Sequence, residues 1–217
     1  MKKLMLITMG AMWILGCSAA DNTGEASGEA TVESTDQAVV NGWIGPVSEE
    51  AGKNSATCGS AGVGATAAFC SGAYCDDMYL FCGSLPRGFA TTGVDGGWTP
   101  YVSDENNSPA ALCGAGNIVD GIRATGSYAD NVSIHCTSAN FPTQGTNCAW
   151  TPWFSEEQGQ QNFKATLYGR FTAVARGVKC SGSYCDNMSY FVCEPKCQTD
   201  ADCGSGDFCR SGTCVIG

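Results

Sequence analysis

The stretch Cys180-Ser-Gly-Ser-Tyr-Cys-Asp-Asn187 decides the fold, because the chain repeats it. A first copy reads Cys70-Ser-Gly-Ala-Tyr-Cys-Asp-Asp77, and a second reads Ala124-Thr-Gly-Ser-Tyr-Ala-Asp-Asn131, with both cysteines replaced by alanine. An upstream marker recurs in the same order. Trp43-Ile-Gly-Pro-Val-Ser48-Glu49-Glu50 matches Trp98-Thr-Pro-Tyr-Val-Ser103-Asp104-Glu105 and Trp150-Thr-Pro-Trp-Phe-Ser155-Glu156-Glu157. Two markers at near-equal spacing define three internal repeats, about 43–97, 98–149 and 150–195.

Each copy reads as strands. Met78-Tyr-Leu80-Phe-Cys82 and Val132-Ser-Ile134-His-Cys136 alternate at period two. Met188-Ser-Tyr190-Phe-Val192-Cys193 carries one extra residue before its cysteine, which predicts a bulge there. Ile118–Ile122 and Val174–Val178 precede the motif with weaker alternation. No segment shows a long helical period. Units of this size cannot each hide an apolar face, so the expected fold is all-β, with three repeats packed around a pseudo-threefold axis and sharing one core.

The cysteines support the same plan. Ala124 and Ala129 replace both motif cysteines together, as a bonded pair would be lost, so Cys70–Cys75 and Cys180–Cys185 are expected disulfides. Cys58 and Cys82 flank the first motif as Cys113 and Cys136 flank the second, giving two further pairs. Cys148–Cys193 follows by elimination. The tail at 196–217 holds Cys197, Cys203, Cys209 and Cys214 and is too short for a core. Cys197–Cys209 with Cys203–Cys214 is the expected pairing among three connectivities. Zinc is the rival for these thiols, but the close pairs typical of zinc are missing.

The chain has 217 residues, fifteen cysteines, 29 glycines, one histidine and a formal net charge of -10. Such a composition suits a secreted, disulfide-stapled protein. The acidic balance argues against nucleic acid and against electrostatic attachment to anionic lipid. Met1-Lys2-Lys3, an apolar run from Leu4 to Leu15, and Ile14-Leu15-Gly16-Cys17 resemble a bacterial lipobox. That resemblance implies a signal peptide at 1–16 and a bilayer contact through acylated Cys17. Residues 17–41 then read as a polar, disordered tether. Ser18 after the cysteine resembles an outer-membrane sorting signal, so the expected address is the bacterial cell envelope, as an outer-membrane lipoprotein facing the periplasm or the surface.

The second copy runs Trp98, Cys113-x-x-Gly116, Gly121-Ile122-Arg123, Asp130-Asn131 and a strand ending at Cys136. This resembles the repeat of the vitelline membrane outer layer protein family over about 42–194. The third copy departs from it by lacking the upstream Cys-x-x-Gly. The resemblance implies a β-prism, three Greek-key sheets around one apolar core, and an association with glycan-rich layers.

Candidate ligand-binding residues are Tyr74, Asp76, Tyr128, Asp130, Tyr184, Asp186 and Trp153. Tyrosine and tryptophan rings stack on sugars, and carboxylates accept from sugar hydroxyls or hold calcium. Turn chemistry is the competing reading of the aspartates, and core or axis packing that of Trp43, Trp98 and Trp150. The acidic pairs read as solvated loops, and His135 as a solvated side chain on an outward position. No catalytic residue, metal site or bound cofactor is expected. The expected function is non-enzymatic, lectin-like glycan binding; a structural or protein-binding envelope role and a glycan-active enzyme are the alternatives.

Overall fold

Alternation at period two aims successive side chains at opposite faces; in the computed structural model Met78 and Leu80, Val132 and Ile134, and Met188 and Tyr190 are buried, whereas Tyr79, Phe81, His135 and Phe191 are less so. The structure describes residues 41–48, 52–59, 61–85, 91–104, 110–140, 147–158, 161–162, 173–194, 199–200, 207–210 and 213–216. The lipobox, Cys17, the tether to residue 40, Glu49, Glu50, Glu105, Cys197 and Cys203 lie outside them.

The described elements are strands and short 3-10 turns. The chain gives β1 (Gly42–Val47), β2 (Ser55–Thr57), β3 (Val63–Ser71) and β4 (Asp77–Ser84). It continues through β5 (Thr91–Trp98), β6 (Ala111–Leu112), β7 (Asn117–Thr125) and β8 (Asn131–Ala139). Then come β9 (Asn147–Trp150), β10 (Gln161–Asn162), β11 (Val174–Ser181) and β12 (Asn187–Glu194). The motif tyrosine sits in the tight turn of each long hairpin, β3–β4, β7–β8 and β11–β12.

Three four-stranded antiparallel sheets result, in the orders β1-β4-β3-β10, β5-β8-β7-β2 and β9-β12-β11-β6. Counting β5 and β9 with the copies whose tryptophans, Trp98 and Trp150, they carry, the fourth strand of each sheet comes from another copy. The first copy gives β2 to the second sheet, the second gives β6 to the third, and the third gives β10 to the first. The donated strands dock at equivalent places: Thr57 opposite Gly121, Leu112 opposite Gly177 and Asn162 opposite Ala67. Small residues are needed there. A Cβ on Gly121 would come within 2.8 Å of the Ala56 carbonyl oxygen, and one on Gly177 within 2.8 Å of that of Ala111.

The sheets share a core. Met78 and Leu80, Ile122 and Ile134, and Val178 and Tyr190 belong to one buried cluster drawn from all three sheets. Val47, Val102 and Phe154, each four residues after its tryptophan, join it, and β3, β7 and β11 touch one another. The tryptophans, in contrast, stand half-buried on the outer faces, so the expectation of core or axis packing is corrected. Strand parity explains this. Trp43 pairs with Phe81 and Trp98 with His135, both at positions that alternate with the inward Leu80 and Ile134.

Disulfides join Cys58–Cys82, Cys70–Cys75, Cys113–Cys136, Cys148–Cys193 and Cys180–Cys185. Cys58 directly follows donated β2, and Cys113 directly follows donated β6. Their amides extend the ladder by donating to the carbonyls of Asp120 at 2.7 Å and Arg176 at 2.8 Å. Each bridge therefore ties a strand lodged in one sheet to a long strand of the copy that donated it. The bulge expected before Cys193 lies elsewhere. The register shifts on the preceding strand of every hairpin, between Ala65 and Ala67, Val119 and Gly121, and Ala175 and Gly177. The extra residue in β12 instead moves Cys193 one place along, to pair directly with Cys148 of β9.

The tail forms its own hairpin, β13 (Asp207–Arg210) with β14 (Thr213–Ile216). Cys209 is disulfide-bonded; the complete pairing expected for the tail falls outside the described residues.

Loop closure ranks the bridges. Removing Cys58–Cys82, with a sequence separation of 24, should cost about 3–4 kcal/mol. Removing Cys70–Cys75, with a separation of 5, should cost about 2 kcal/mol. Urea unfolding of Cys58→Ser/Cys82→Ser and of Cys70→Ala/Cys75→Ala should show that order. A larger loss in the second variant would contradict it.

Candidate functional site

The three motif turns meet. Their 3-10 segments Ala73–Cys75, Ser127–Ala129 and Ser183–Cys185 contact one another. Tyr74 and Tyr128 have ring centroids 5.5 Å apart, Tyr74 and Tyr184 5.4 Å, and Tyr128 and Tyr184 5.1 Å. The rings are tilted or edge-on to each other, the arrangement that aromatic quadrupoles favour. Tyr74 remains 43% and Tyr128 41% exposed, so the triangle closes the end of the hairpins and still offers ring surface.

An unusual backbone aims these rings. Tyr74, Tyr128 and Tyr184 have φ of 60°, 57° and 60°, and the following Cys75, Ala129 and Cys185 have φ of 59°, 55° and 56°. A left-handed conformation costs an L-residue roughly 1–2 kcal/mol. Its persistence in six non-glycine residues means the surroundings dictate it. The glycine before each turn is equally constrained. Gly72, Gly126 and Gly182 have φ of 76°, 83° and 79° with extended ψ, a region open essentially to glycine alone. A Cβ at each would collide with the carboxylate of Asp76, Asp130 or Asp186.

That packing defines the aspartates. Asp76 and Asp130 are buried, with their carboxylates folded over the glycines. Asn131 Nδ2 donates to Asp130 Oδ1 at 2.5 Å, and Asn187 Nδ2 to Asp186 Oδ1 at 2.5 Å. Their geometry is turn-forming, and the tyrosines are what the motif presents outward. Beneath the rings, Cys75 Sγ lies 3.2 Å from the Asp186 carbonyl oxygen and Cys185 Sγ 3.0 Å from that of Asp130. The two bridges therefore also pack turn against turn, and Ala129 occupies the corresponding place in the second copy.

Trp153 is 42% exposed and stands apart from the tyrosines, on the outer face of the third sheet. Its ring centroid lies 4.6 Å from Lys179 Nζ, which also lies 4.5 Å from the Trp150 ring. Arg123 has the same setting in the second sheet, 4.7 Å from both the Trp98 and Tyr101 rings. Neither cation was identified in the sequence as a candidate. Comparing copies for identities draws attention to shared residues, whereas Phe69, Arg123 and Lys179 share only a position.

His135 points outward as expected but is not freely solvated, with 16% of its side chain exposed. Its Nδ1 lies 2.6 Å from Asp120 Oδ1, and its Nε2 lies 3.0 Å from Asp95 Oδ1. The Asp120 hydrogen bond is the largest influence on its pKa, which is raised above the usual value despite burial. Asp120 is the bulged residue of β7, so the irregular register aims this carboxylate at the ring.

Of the acidic pairs, Glu156 and Glu157 lie in a 3-10 turn, Glu156–Gln158, with Glu157 exposed. Among the described residues no group of three or more His, Cys, Asp or Glu is gathered as a metal site. No helix among them is long and apolar enough to cross a membrane. No family model, curated protein or solved structure matches the chain.

The histidine latch has a definite pH sign. A folded pKa above the unfolded value of about 6.5 gives stability that is full below that value. The contribution is lost as pH rises through the raised folded pKa. The stability advantage of the native protein over His135→Gln should therefore be larger at about pH 6 than at about pH 8.5. Asp120→Asn should reduce that dependence, and parallel melting curves across this range would refute the latch.

Proposed function

We propose that the protein is a non-enzymatic glycan-binding lipoprotein of the bacterial envelope. In this reading Cys17 carries the lipid, residues 18–41 form the tether, and the triplicated domain displays its tyrosine tip. The resemblance to the vitelline membrane outer layer repeat belongs to the same proposal. The observation that carries it is the convergence of Tyr74, Tyr128 and Tyr184 on one exposed patch, held by left-handed backbone. A sugar ring presents an apolar C–H face with hydroxyls at its rim. Exposed phenol rings offer a stacking surface and hydroxyl partners together. The neighbouring aspartates are committed to their turns, which favours recognition over acid–base chemistry at this patch.

The experiment is a glycan array with the full chain, followed by titration of the best ligand. Tyr128→Ala and Tyr184→Ala should each weaken binding about tenfold, since losing a stacked ring costs about 1.5 kcal/mol. Tyr128→Phe should retain most of the affinity. Binding that ignores the alanine changes, or a chain that binds no glycan, would overturn the reading.

A further inference from the structure

When the copies are aligned on the tyrosine motif, Phe69, Arg123 and Lys179 occupy one position, directly before the motif. Pro46, Tyr101 and Trp153 occupy a second, three residues after each copy's tryptophan. In the first copy this outer face is apolar and closed on itself: Phe69 stacks on Tyr79 at 4.2 Å and meets Trp43 edge-on at 4.8 Å. In the other two a cation lies against two aromatic rings, Arg123 with Trp98 and Tyr101, and Lys179 with Trp150 and Trp153.

Charge makes these two positions unusual. The chain has 21 acidic and 11 basic residues, yet among the described residues neither Arg123 nor Lys179 is ion-paired with a carboxylate. Arg123 Nε is buried without a hydrogen-bond partner. Arg176 shows the contrasting, structural use of a cation: its Nε donates to the Asn117 carbonyl at 3.0 Å and its guanidinium to that of Gly114 at 2.7 Å. An aromatic face attracts a cation but does not neutralise it. Arg123 and Lys179 thus stand beside aromatic surface with no carboxylate partner among the described residues, and Trp153 is substantially exposed.

We propose that these two outer-face sites bind carboxylate-bearing sugar units of an acidic glycan, one unit at each. The sugar carboxylate takes charge-assisted hydrogen bonds from the guanidinium or ammonium. The apolar face of the same sugar lies on the adjoining ring, Tyr101 or Trp153. A neutral sugar gains only the stacking term, so the sites discriminate by charge. The surrounding acidity repels the same ligand elsewhere and confines it to these positions. The first copy, with Phe69 and Pro46, has no such site. This inference deepens the glycan reading but uses residues separate from the tyrosine tip.

The test is calorimetric titration of the full chain at low salt with a galacturonate trisaccharide, its neutral galactose counterpart and acetate, while following tryptophan fluorescence. The expected result is two acidic trisaccharides per chain, a fluorescence change, weaker binding as salt is added, and at least tenfold weaker binding of the neutral sugar and of acetate. Lys179→Gln and Arg123→Gln should each remove one charge-selective, salt-sensitive site, and the double variant both. Lys179→Arg should keep two, which separates loss of charge from loss of fold. Tyr128→Ala should keep both sites, so a failure of the tyrosine tip is read independently. Absence of acidic-sugar binding in the native chain would overturn the proposal. So would unchanged stoichiometry in the double variant, or equal affinity for the neutral sugar or acetate.

Discussion

No copy of the repeat can finish its own sheet. Each sheet ends on a short strand donated by another copy, and the three donations close into a cycle. The hydrogen bonds between donated and host strands are therefore also the bonds between copies. Sharing one core removes the main difficulty of a small β unit, a hydrophobic face without a partner. Closure also couples the copies, because displacing one donated strand disturbs both the sheet that hosts it and the copy that gave it. The close approach at Gly121 and Gly177 and the bridges from Cys58 and Cys113 concentrate around these junctions.

The same closure brings the three hairpin turns together, and that explains what the motif preserves. Glycine supplies a backbone region that other residues rarely reach, the aspartate carboxylate fills the space a side chain would need, and the tyrosine is turned into left-handed conformation toward its two counterparts. The motif bridges lie below the rings and brace turn against turn. A buried alanine can fill the same place, as Ala129 does.

Much of this plan was legible in the sequence. Period-two alternation located the long hairpins because one face of each is buried. The simultaneous loss of two cysteines at 124 and 129 revealed a pair because a lone leftover thiol has no structural role. The donated strands were not legible. Ser55–Thr57, Ala111–Leu112 and Gln161–Asn162 are too short to carry a period, and their partners lie far away in sequence. The tryptophans misled because large apolar residues suggest a core, whereas register alone places them outside. The tyrosine triangle was visible only as a repeated letter, since neither left-handed backbone nor convergence in space leaves a local signature. Arg123 and Lys179 were hidden for the opposite reason: they differ between copies.

That difference follows from the architecture. Inward positions are kept buried and mainly apolar by a shared core, with Leu80, Ile134 and Tyr190 filling the equivalent position in the three copies. Outward positions meet no counterpart and can diverge, so the second and third faces acquire a cation where the first keeps Phe69. The ring is also unequal at its seams. Bridges follow β2 and β6, whereas no cysteine occurs between Cys148 and Cys180 to follow β10. Among the described residues the closing seam pairs Gln161 with Ala68 and Asn162 with Ala67, and no disulfide follows β10. A cycle built from three copies thus has two junctions tied by a disulfide and one, between the third copy and the first, that is not.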